Sequence, residues 1–246
     1  MSPHHRTHVA GLIGARPRRS GQFVGTAPSA ELFSARFLEA GVAQIDLANA
    51  LEALSDRYEV DLINLSLSSD FDSGVVHDAI LDALDAGTVC VCAAGNSHGT
   101  LEFPAAWPET VAVGAIGKVG WGSTNSIALE SSNVPSDLKG HLGFFSPMFS
   151  CAGDPAMIVA PGVGIVSTVP DVRAGESGPY GEMSGTSMAS PIACGTIAAL
   201  LSRNGMRRSQ KRTDRVQSVH SFLLGGCCSA GLDPKREGRG ILRVSA

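Results

Sequence analysis

Apolar segments of two kinds alternate along the 246-residue chain, and this alternation constrains the fold more than any other feature. Short apolar runs such as "VDLINLSLS" (60–68) and "GTVCVCAAG" (87–95) predict buried strands. Segments between the strands, such as 75–85, repeat apolar residues with helical spacing. Strands that alternate with helices are typical of a parallel sheet covered on both faces. We therefore predict an α/β fold with a mostly parallel sheet flanked by helices on both faces.

The other predicted elements follow the same two patterns. Helices are predicted at 7–15, 45–57, 75–85, 191–202 and 216–224, and strands at 30–38, 60–68, 87–95, 109–117 and 156–162. Residues 117–144 are rich in glycine, serine and asparagine, which indicates a surface insertion. We expect this insertion to interrupt a single domain that covers residues 4–246.

Charge and hydropathy limit the partners. The formal net charge of −4 gives no general reason to expect binding to nucleic acid or to a membrane. No run approaches the roughly 18 to 20 apolar residues that span a bilayer, and the first residues lack the basic-then-apolar order of a signal peptide. We expect a monomer that binds neither nucleic acid nor a membrane, and the compartment stays unassigned.

One basic run leaves two interpretations open. Residues 203–215 contain six basic residues and one acid. Such a run is typical either of a patch for nucleic acid or membrane, or of a solvated helix end and loop. The absence of interleaved aromatic residues favours the helix end and loop.

The six cysteines do not form a disulfide pattern. Cys90 and Cys92 alternate within one apolar run, Cys227 and Cys228 are adjacent, and the other two stand alone. We expect all six to be reduced. Because there is no CxxC pair, no zinc-type His/Cys spacing and no EF-hand-like loop, no metal and no cofactor are predicted.

The segment "GTSMASP" (185–191) places Ser187 where an apolar helix begins. One interpretation is an ordinary capped, buried helix. The other is a nucleophilic serine, because the first-turn N–H groups and the helix dipole would face negative charge near its Oγ. Gly185 lets the chain turn without a Cβ clash, and Pro191 is expected in the first turn, where its missing N–H costs nothing.

Two further segments carry candidate polar groups. In "AAGN" (93–96), Asn96 follows a strand, where its amide either donates to a developing oxyanion or simply occupies a turn. In "HHRTHVAG" (4–11), His5 and His8 lie three residues apart at a helix start. This spacing fits two metal ligands, or one catalytic imidazole and one supporting residue. The lack of a nearby carboxylate disfavours the metal.

Taken in order, the three segments resemble the subtilisin-like serine proteases (subtilases). "GTSMASP" matches the family motif, "HRTHVAG" matches it apart from Arg6 in place of glycine, and "AAGN" matches the oxyanion loop. The resemblance implies a subtilisin-like fold and endopeptidase activity on a polypeptide substrate. It implies His5 as general base, Ser187 as nucleophile through an acyl-enzyme, and Asn96 with the Ser187 N–H as oxyanion hole.

The resemblance also implies a substrate groove. One wall would be Ser66, Leu67 and Ser68, which resemble the strand that holds the substrate backbone, and the other Ala94 and Gly95. The family usually has glycine where this chain has Ser68, so the added side chain narrows the groove. His98 mimics the start of the histidine motif, but it lacks the following helix and is interpreted as a loop residue.

The family pattern breaks at the triad aspartate, which precedes the histidine motif in subtilases. The first acid of this chain is Glu31. Without a carboxylate on the far imidazole nitrogen, turnover falls on the order of 10⁴-fold. Arg6 adds a cation beside His5, which disfavours imidazolium.

Two explanations follow. In the first, the domain is incomplete at its amino end, where the full chain would carry the aspartate strand and a secretion signal is possible. In the second, the chain is an inactive subtilase remnant that binds peptides.

Overall fold

The structure is a computed structural model that describes residues 2–17, 19–36, 43–121, 134–153, 157–170, 179–205 and 212–243. Its helices are α1 (Pro3–Gly14), α2 (Ala43–Glu52, followed by a π-helical turn, Ala53–Arg57), α3 (Gly74–Asp85), α4 (Thr186–Arg203), α5 (Arg212–Gly225) and α6 (Pro234–Glu237). Its strands are β1 (Leu62–Leu65), β2 (Val89–Ala93), β3 (Val111–Lys118), β4 (Phe144–Phe145), β5 (Ile158–Pro161), β6 (Ile165–Thr168), β7 (Tyr180–Met183), β8 (Cys227–Cys228) and β9 (Ile241–Leu242).

In the described ranges, seven strands form one sheet in the order β1-β2-β3-β5-β9-β8, with β4 paired to the end of β3. The pairs from β1 through β2, β3 and β5 to β9 are parallel, whereas β4 and β8 pair antiparallel. The register aligns Asn64 with Val91 and Ala93 with Val113. Strands β6 and β7 form a separate antiparallel pair. The prediction of a mostly parallel sheet is confirmed.

Strand β2 shows why helices cover both faces of the sheet. Val89 and Val91 face a buried cluster that includes α4 and α5, whereas Cys90 and Cys92 face a cluster that includes α2 and α3. Every residue of this strand is buried, as expected for the centre of a parallel sheet. Each valine buried in this way contributes about 1.5–3 kcal/mol. The prediction of helices on both faces is confirmed.

The predicted strand at 30–38 is wrong for its described part, residues 30–36, which are irregular. The guanidinium of Arg16 donates to the carbonyls of Pro28 and Ala30, at 2.6 and 2.8 Å. A side chain from the end of α1 therefore satisfies carbonyls here that strand pairing would otherwise have to satisfy. Residues 37–38 lie outside the described part of the chain.

Two helices begin earlier than the sequence predicted. Helix α1 begins at Pro3 because Ser2 caps it and accepts from the backbone N–H of His5 at 3.3 Å. Helix α4 begins at Thr186, so Pro191 is its sixth residue and lies inside the helix. The expectation that Pro191 occupies the first turn is wrong, and its missing N–H leaves a carbonyl one turn earlier without its usual donor.

The predicted insertion at 117–144 is described only in part. Gly117 and Lys118 complete β3, and Val134 and Leu138 are buried in a small cluster with Phe145. The described ends of this segment therefore belong to the packed fold, and residues 122–133 lie outside the described part. The insertion and the single-domain limits stay predictions.

The basic run at 203–215 is also described only in part, because residues 206–211 lie outside the described ranges. Arg215 is buried, pairs with Asp61 at 3.1 Å and donates to the carbonyl of Gly87 at 3.2 Å. This arginine therefore ties α5 to the ends of β1 and α3 instead of being solvated. All six cysteines are free thiols. No helix in the described part of the chain is long and apolar enough to cross a bilayer.

Candidate active site

Ser187 lies at the amino end of α4, as the sequence predicted. It is the second residue of the helix, so its backbone N–H has no acceptor inside the helix. Its Oγ donates to the carbonyl of Ser66, just beyond β1, at 3.3 Å. The hydroxyl therefore sits where the positive end of the helix dipole can stabilise a negative oxygen.

The carbonyl of Ser187 is held from the same side. In a regular helix this carbonyl would accept from the N–H of residue 191, which is a proline and has none. The Oγ of Ser66 donates to it instead, at 2.8 Å. Ser66 and Ser187 are thus joined by two hydrogen bonds, and the strand end fixes the helix start.

A second row of hydrogen bonds supports this pair. The side-chain N–H of Asn64 in β1 donates to Ser66 Oγ at 3.0 Å. The hydroxyl of Ser190 on α4 bonds to Asn64 Oδ1 at 2.8 Å and lies 3.2 Å from the carbonyl of Val91. Sequence analysis missed Asn64, although a lone amide inside an apolar strand is a signal of such a link.

Asn96 is clamped onto the first residue of α4. Its Oδ1 accepts from the N–H and the Oγ1 of Thr186, at 3.0 and 3.1 Å. The N–H of Gly95 bonds to the same Oγ1 at 3.3 Å. Because the amide oxygen is used in this way, the Nδ2 group of Asn96 is the end left to donate beside Ser187. Sequence analysis assigned no role to Thr186, although it lies in the serine motif itself.

Gly185, the residue before α4, has a φ of +153°. A Cβ there would lie 3.7 Å from Asn96 Oδ1 and 3.9 Å from Nδ2. The unusual dihedral, more than crowding, is what requires glycine, as the sequence predicted for this turn.

His5 lies in the first turn of α1, which packs against α4. Its Nδ1 is buried and has no hydrogen-bond partner among the described residues. Burial lowers the pKa of His5, and the neighbouring His8 lowers it further. Arg6 is exposed, and the expectation that its charge disfavours the imidazolium of His5 stays a prediction.

The structure brings Ser187, Ser66 and Asn96 to one place by hydrogen bonds with α4. It does not pair Ser187 with His5, because the Ser187 hydroxyl donates to the carbonyl of Ser66. Catalytic hydrogen bonds are often long in a free enzyme and shorten when substrate binds. The role of His5 therefore stays a prediction.

His8 anchors α1 and is fully buried. Its Nε2 lies 2.9 Å from the carbonyl of Ile165 and 3.2 Å from that of Gly181, on β6 and β7. Because both partners are acceptors, Nε2 carries the proton. Burial lowers the pKa of His8, and these two hydrogen bonds offset part of that effect. His8 is therefore the supporting histidine of the pair.

The two predicted groove walls have different backbones. In the wall formed by Ala94 and Gly95, both backbone carbonyls already accept hydrogen bonds. The carbonyl of Ala94 accepts from the N–H of Glu102, and that of Gly95 accepts from the N–H of Cys151, at 3.0 Å each. In the other wall, Leu67 packs its side chain against the core. The backbone groups of Leu67 and Ser68 make no backbone–backbone hydrogen bond to another described residue, and their predicted role in binding a peptide stays a prediction.

The structure also describes His98 and the groups that could bind a metal. His98 lies in a loop with a φ of +62°, and its Nδ1 bonds to the carbonyl of Met148. Across the described ranges, no group of three or more His, Cys, Asp or Glu side chains is arranged to hold a metal ion.

Comparisons with known proteins match this chain to one family. The subtilase family model matches residues 2–221. The chain is 34% identical to Subtilisin E of Bacillus subtilis (strain 168) over 227 residues, which cover 89% of this chain and 51% of Subtilisin E. The chain thus spans about half the length of that relative.

Two further similarities extend over nearly the whole chain. The major intracellular serine protease of Bacillus subtilis (strain 168) is 33% identical over 251 residues, covering 98% of this chain and 68% of that protein. A solved psychrophilic protease superposes with a TM-score of 0.74 at 26% identity, over 98% of this chain and 78% of that one.

Proposed function

Since the chain belongs to the subtilase family, we propose that it is a serine endopeptidase that forms an acyl-enzyme on Ser187. The observation that carries the proposal is the assembly around the start of α4. There the Ser187 hydroxyl bonds to Ser66 and Asn96 bonds to Thr186. A Cβ built on Gly185 would lie 3.7 Å from Ser187 N and 3.9 Å from Asn96 Nδ2, so the two proposed oxyanion donors are near each other. A polypeptide is the proposed substrate.

In the proposed reaction, an extended peptide pairs its backbone with Leu67 and Ser68. Ser187 Oγ leaves the carbonyl of Ser66 and attacks the substrate carbonyl carbon while His5 removes its proton. Negative charge develops on the substrate oxygen, which the Ser187 N–H and Asn96 Nδ2 stabilise as donors. His5 then protonates the leaving amine. In the second half of the reaction, water attacks the acyl-enzyme while His5 removes its proton, and His5 returns that proton to Ser187 Oγ as the acyl group leaves.

The environment of His5 sets the rate in this scheme. Its Nδ1 has no acceptor among the described residues, and burial lowers its pKa. Both features disfavour the imidazolium that forms as Ser187 attacks. Loss of the acceptor on this nitrogen costs on the order of 10⁴-fold in turnover. We therefore propose slow hydrolysis, which a carboxylate placed against Nδ1 would accelerate.

The missing acceptor on His5 Nδ1 also favours a second candidate function, a subtilase that binds peptides without cleaving them. Leu67 and Ser68 offer unbonded backbone groups whether or not His5 acts as a base. The two candidates differ in what Ser187 contributes. Hydrolysis needs its hydroxyl, whereas peptide binding along the strand does not.

The test uses internally quenched peptides and the Ser187→Ala variant. The endopeptidase proposal expects slow cleavage by the parent chain and none by the variant, with equal peptide affinity in both. Equal cleavage by the two proteins would contradict it, because a contaminating protease would explain the signal. Binding without cleavage, at equal affinity in both proteins, would replace it with the peptide-binding candidate.

A further inference from the structure

Glu102 places a carboxylate between the two walls of the groove. Its backbone N–H donates to the carbonyl of Ala94 at 3.0 Å. A Cβ added to Gly95 would lie 2.4 Å from Glu102 Cδ and 2.6 Å from Oε2, so the carboxyl group packs directly against that glycine. The opposite wall is held beside it, because Ser69 and Phe103 exchange backbone hydrogen bonds at 2.9 and 2.8 Å, and the side chain of Ser68 acts as a donor that lowers the pKa of the same carboxyl group.

Hydrogen bonds keep this carboxyl group ionised. Burial raises its pKa, but hydrogen bonds from Ser68, Ser97 and Cys151 outweigh burial and lower the pKa below its usual range. The Cys151 thiol lies 3.6 Å from Oε1. Within the described ranges, no lysine or arginine forms an ion pair with Glu102. The residue is partly exposed, so its negative charge is accessible and has no ion-pair partner among the described residues.

Two short series of contacts connect the carboxylate of Glu102 to the candidate nucleophile Ser187. Gly95, which covers it, bonds through its N–H to Thr186, the neighbour of Ser187. Ser68 is two residues from Ser66, which accepts the hydrogen bond of the Ser187 hydroxyl. In the groove predicted from the resemblance, a peptide whose carbonyl carbon meets Ser187 Oγ would place its preceding side chain between these walls. Glu102 is the carboxylate that this side chain would meet, because it packs against Gly95 of one wall.

From this placement we infer that Glu102 makes the groove select a substrate with lysine or arginine immediately before the bond that Ser187 attacks. This inference rests on the proposed function, since it needs a peptide in the groove. A long cationic side chain reaches the carboxylate with its apolar stem along Gly95 and forms a charge-assisted hydrogen bond. Acidic side chains are repelled, and uncharged ones gain only contact area.

Ser68 takes a different role in this account from the one predicted. The sequence comparison suggested that its side chain narrows the groove where glycine is usual. Its hydroxyl instead acts as a hydrogen-bond donor that lowers the pKa of the Glu102 carboxyl group, and we assign it the role of orienting that carboxylate. Ser68 is therefore a positioning residue, and Ser68→Ala should weaken the preference for a basic residue without abolishing peptide binding.

The experiment measures binding without turnover. Fluorescent peptides that differ only in lysine, norleucine or glutamate before the scissile bond are titrated into Ser187→Ala protein by anisotropy. The same titrations use Ser187→Ala combined with Glu102→Gln, and with Glu52→Gln as a matched charge removal at an exposed position on α2. Thermal unfolding of each variant confirms the fold. Fluorophosphonate labelling of the parent chain tests the proposed function separately.

The inference expects the lysine peptide to bind roughly tenfold more tightly than the norleucine peptide, as a partly exposed charge-assisted contact permits. Glu102→Gln should remove this difference and Glu52→Gln should keep it. Equal binding of lysine and norleucine peptides, with labelling of Ser187 intact, would overturn the inference alone. Absence of both labelling and peptide binding would overturn the proposed function and the inference with it.

Discussion

Ser66 and Ser187 exchange two hydrogen bonds, from hydroxyl to carbonyl in each direction, at 2.8 and 3.3 Å. The shorter one exists because Pro191 cannot supply the helical donor. The proline thus frees a carbonyl that a strand residue then captures. The position of the candidate nucleophile depends on this exchange between β1 and α4.

Ser66→Ala should destabilise the protein by about 1 kcal/mol, because it leaves the partly buried carbonyl of Ser187 without its donor. Urea unfolding measures this change. Ser221→Ala is the matched control, since Ser221 is exposed on α5 and bonds only within its own helix. Equal free energies of unfolding for the two variants would contradict the assigned role of Ser66.

A double-mutant cycle with Pro191→Ala tests the same link. Alanine at 191 restores an N–H that can donate to the Ser187 carbonyl, so Ser66→Ala should cost less in that background. A coupling energy of about 1 kcal/mol is expected. Additive effects would mean that the proline and Ser66 act independently.

Helix α1, which carries His5, should depend on close contact at Gly11. A Cβ at this position would lie 2.1 Å from Thr168 Oγ1 and 2.6 Å from Ser167 Oγ. Gly11→Ala should therefore destabilise the fold by about 1–3 kcal/mol, as overpacking does. Gly74→Ala provides the control, because a Cβ there would meet nothing within 4 Å. Equal unfolding temperatures for the two variants would contradict the close packing of α1 against β6 at Gly11.

The pH dependence of stability should reveal the buried His8. Its pKa in the folded chain lies below the ordinary 6.5, so the unfolded chain takes up a proton first as pH falls. Stability from this group is complete above about pH 7 and is lost as pH falls through 6.5 towards the folded pKa, with a slope of up to about 1.4 kcal/mol per pH unit.

His8→Gln keeps a donor for the two carbonyls but does not titrate. Its free energy of unfolding should depend less on pH between 7 and 5 than that of the parent chain. His220→Gln, at an exposed position on α5, serves as the control. An unchanged slope in His8→Gln would refute the assignment of His8 as a buried neutral histidine.

Variants of Asn96 should separate its hydrogen bonds to Thr186, which hold helix α4, from its proposed role as an oxyanion donor. Asn96→Asp keeps the oxygen that accepts from Thr186 and removes the Nδ2 donor. Its unfolding temperature should therefore stay close to that of the parent chain, while peptide hydrolysis falls on the order of 10²- to 10³-fold, the loss known for removal of an oxyanion donor in subtilisin. Asn96→Ala should lose both stability and hydrolysis. Full hydrolysis by Asn96→Asp would remove Asn96 from the oxyanion hole.

Much of the fold could be predicted because burial leaves a clear pattern in the sequence. The valines of strand β2 are buried in one core cluster and its cysteines in the other. The strand is therefore apolar at every position, and that uninterrupted run made it recognisable in the sequence. The strand predicted at 30–38 failed because its apolar residues have no strand partner in the described part. There the side chain of Arg16, from the end of α1, bonds to the carbonyls of Pro28 and Ala30.

The candidate site was predicted through motifs and not through geometry. Ser187 and Asn96 stand in recognisable segments, and the structure joins them through Thr186. Glu102 could not be identified in this way, because its place beneath Gly95 depends on how the chain returns after the oxyanion loop. The link from Ser66 to Ser187 likewise depends on strand and helix meeting across 121 positions of sequence.

Reaction of the folded protein with a fluorophosphonate, with the adduct located by peptide mass spectrometry, shows whether Ser187 is a nucleophile. One adduct is expected, on Ser187, which forms slowly in the parent chain, more slowly in His5→Ala, and not at all in Ser187→Ala. Protein that unfolds cooperatively yet carries no adduct on Ser187 after prolonged exposure would contradict the proposed role of Ser187.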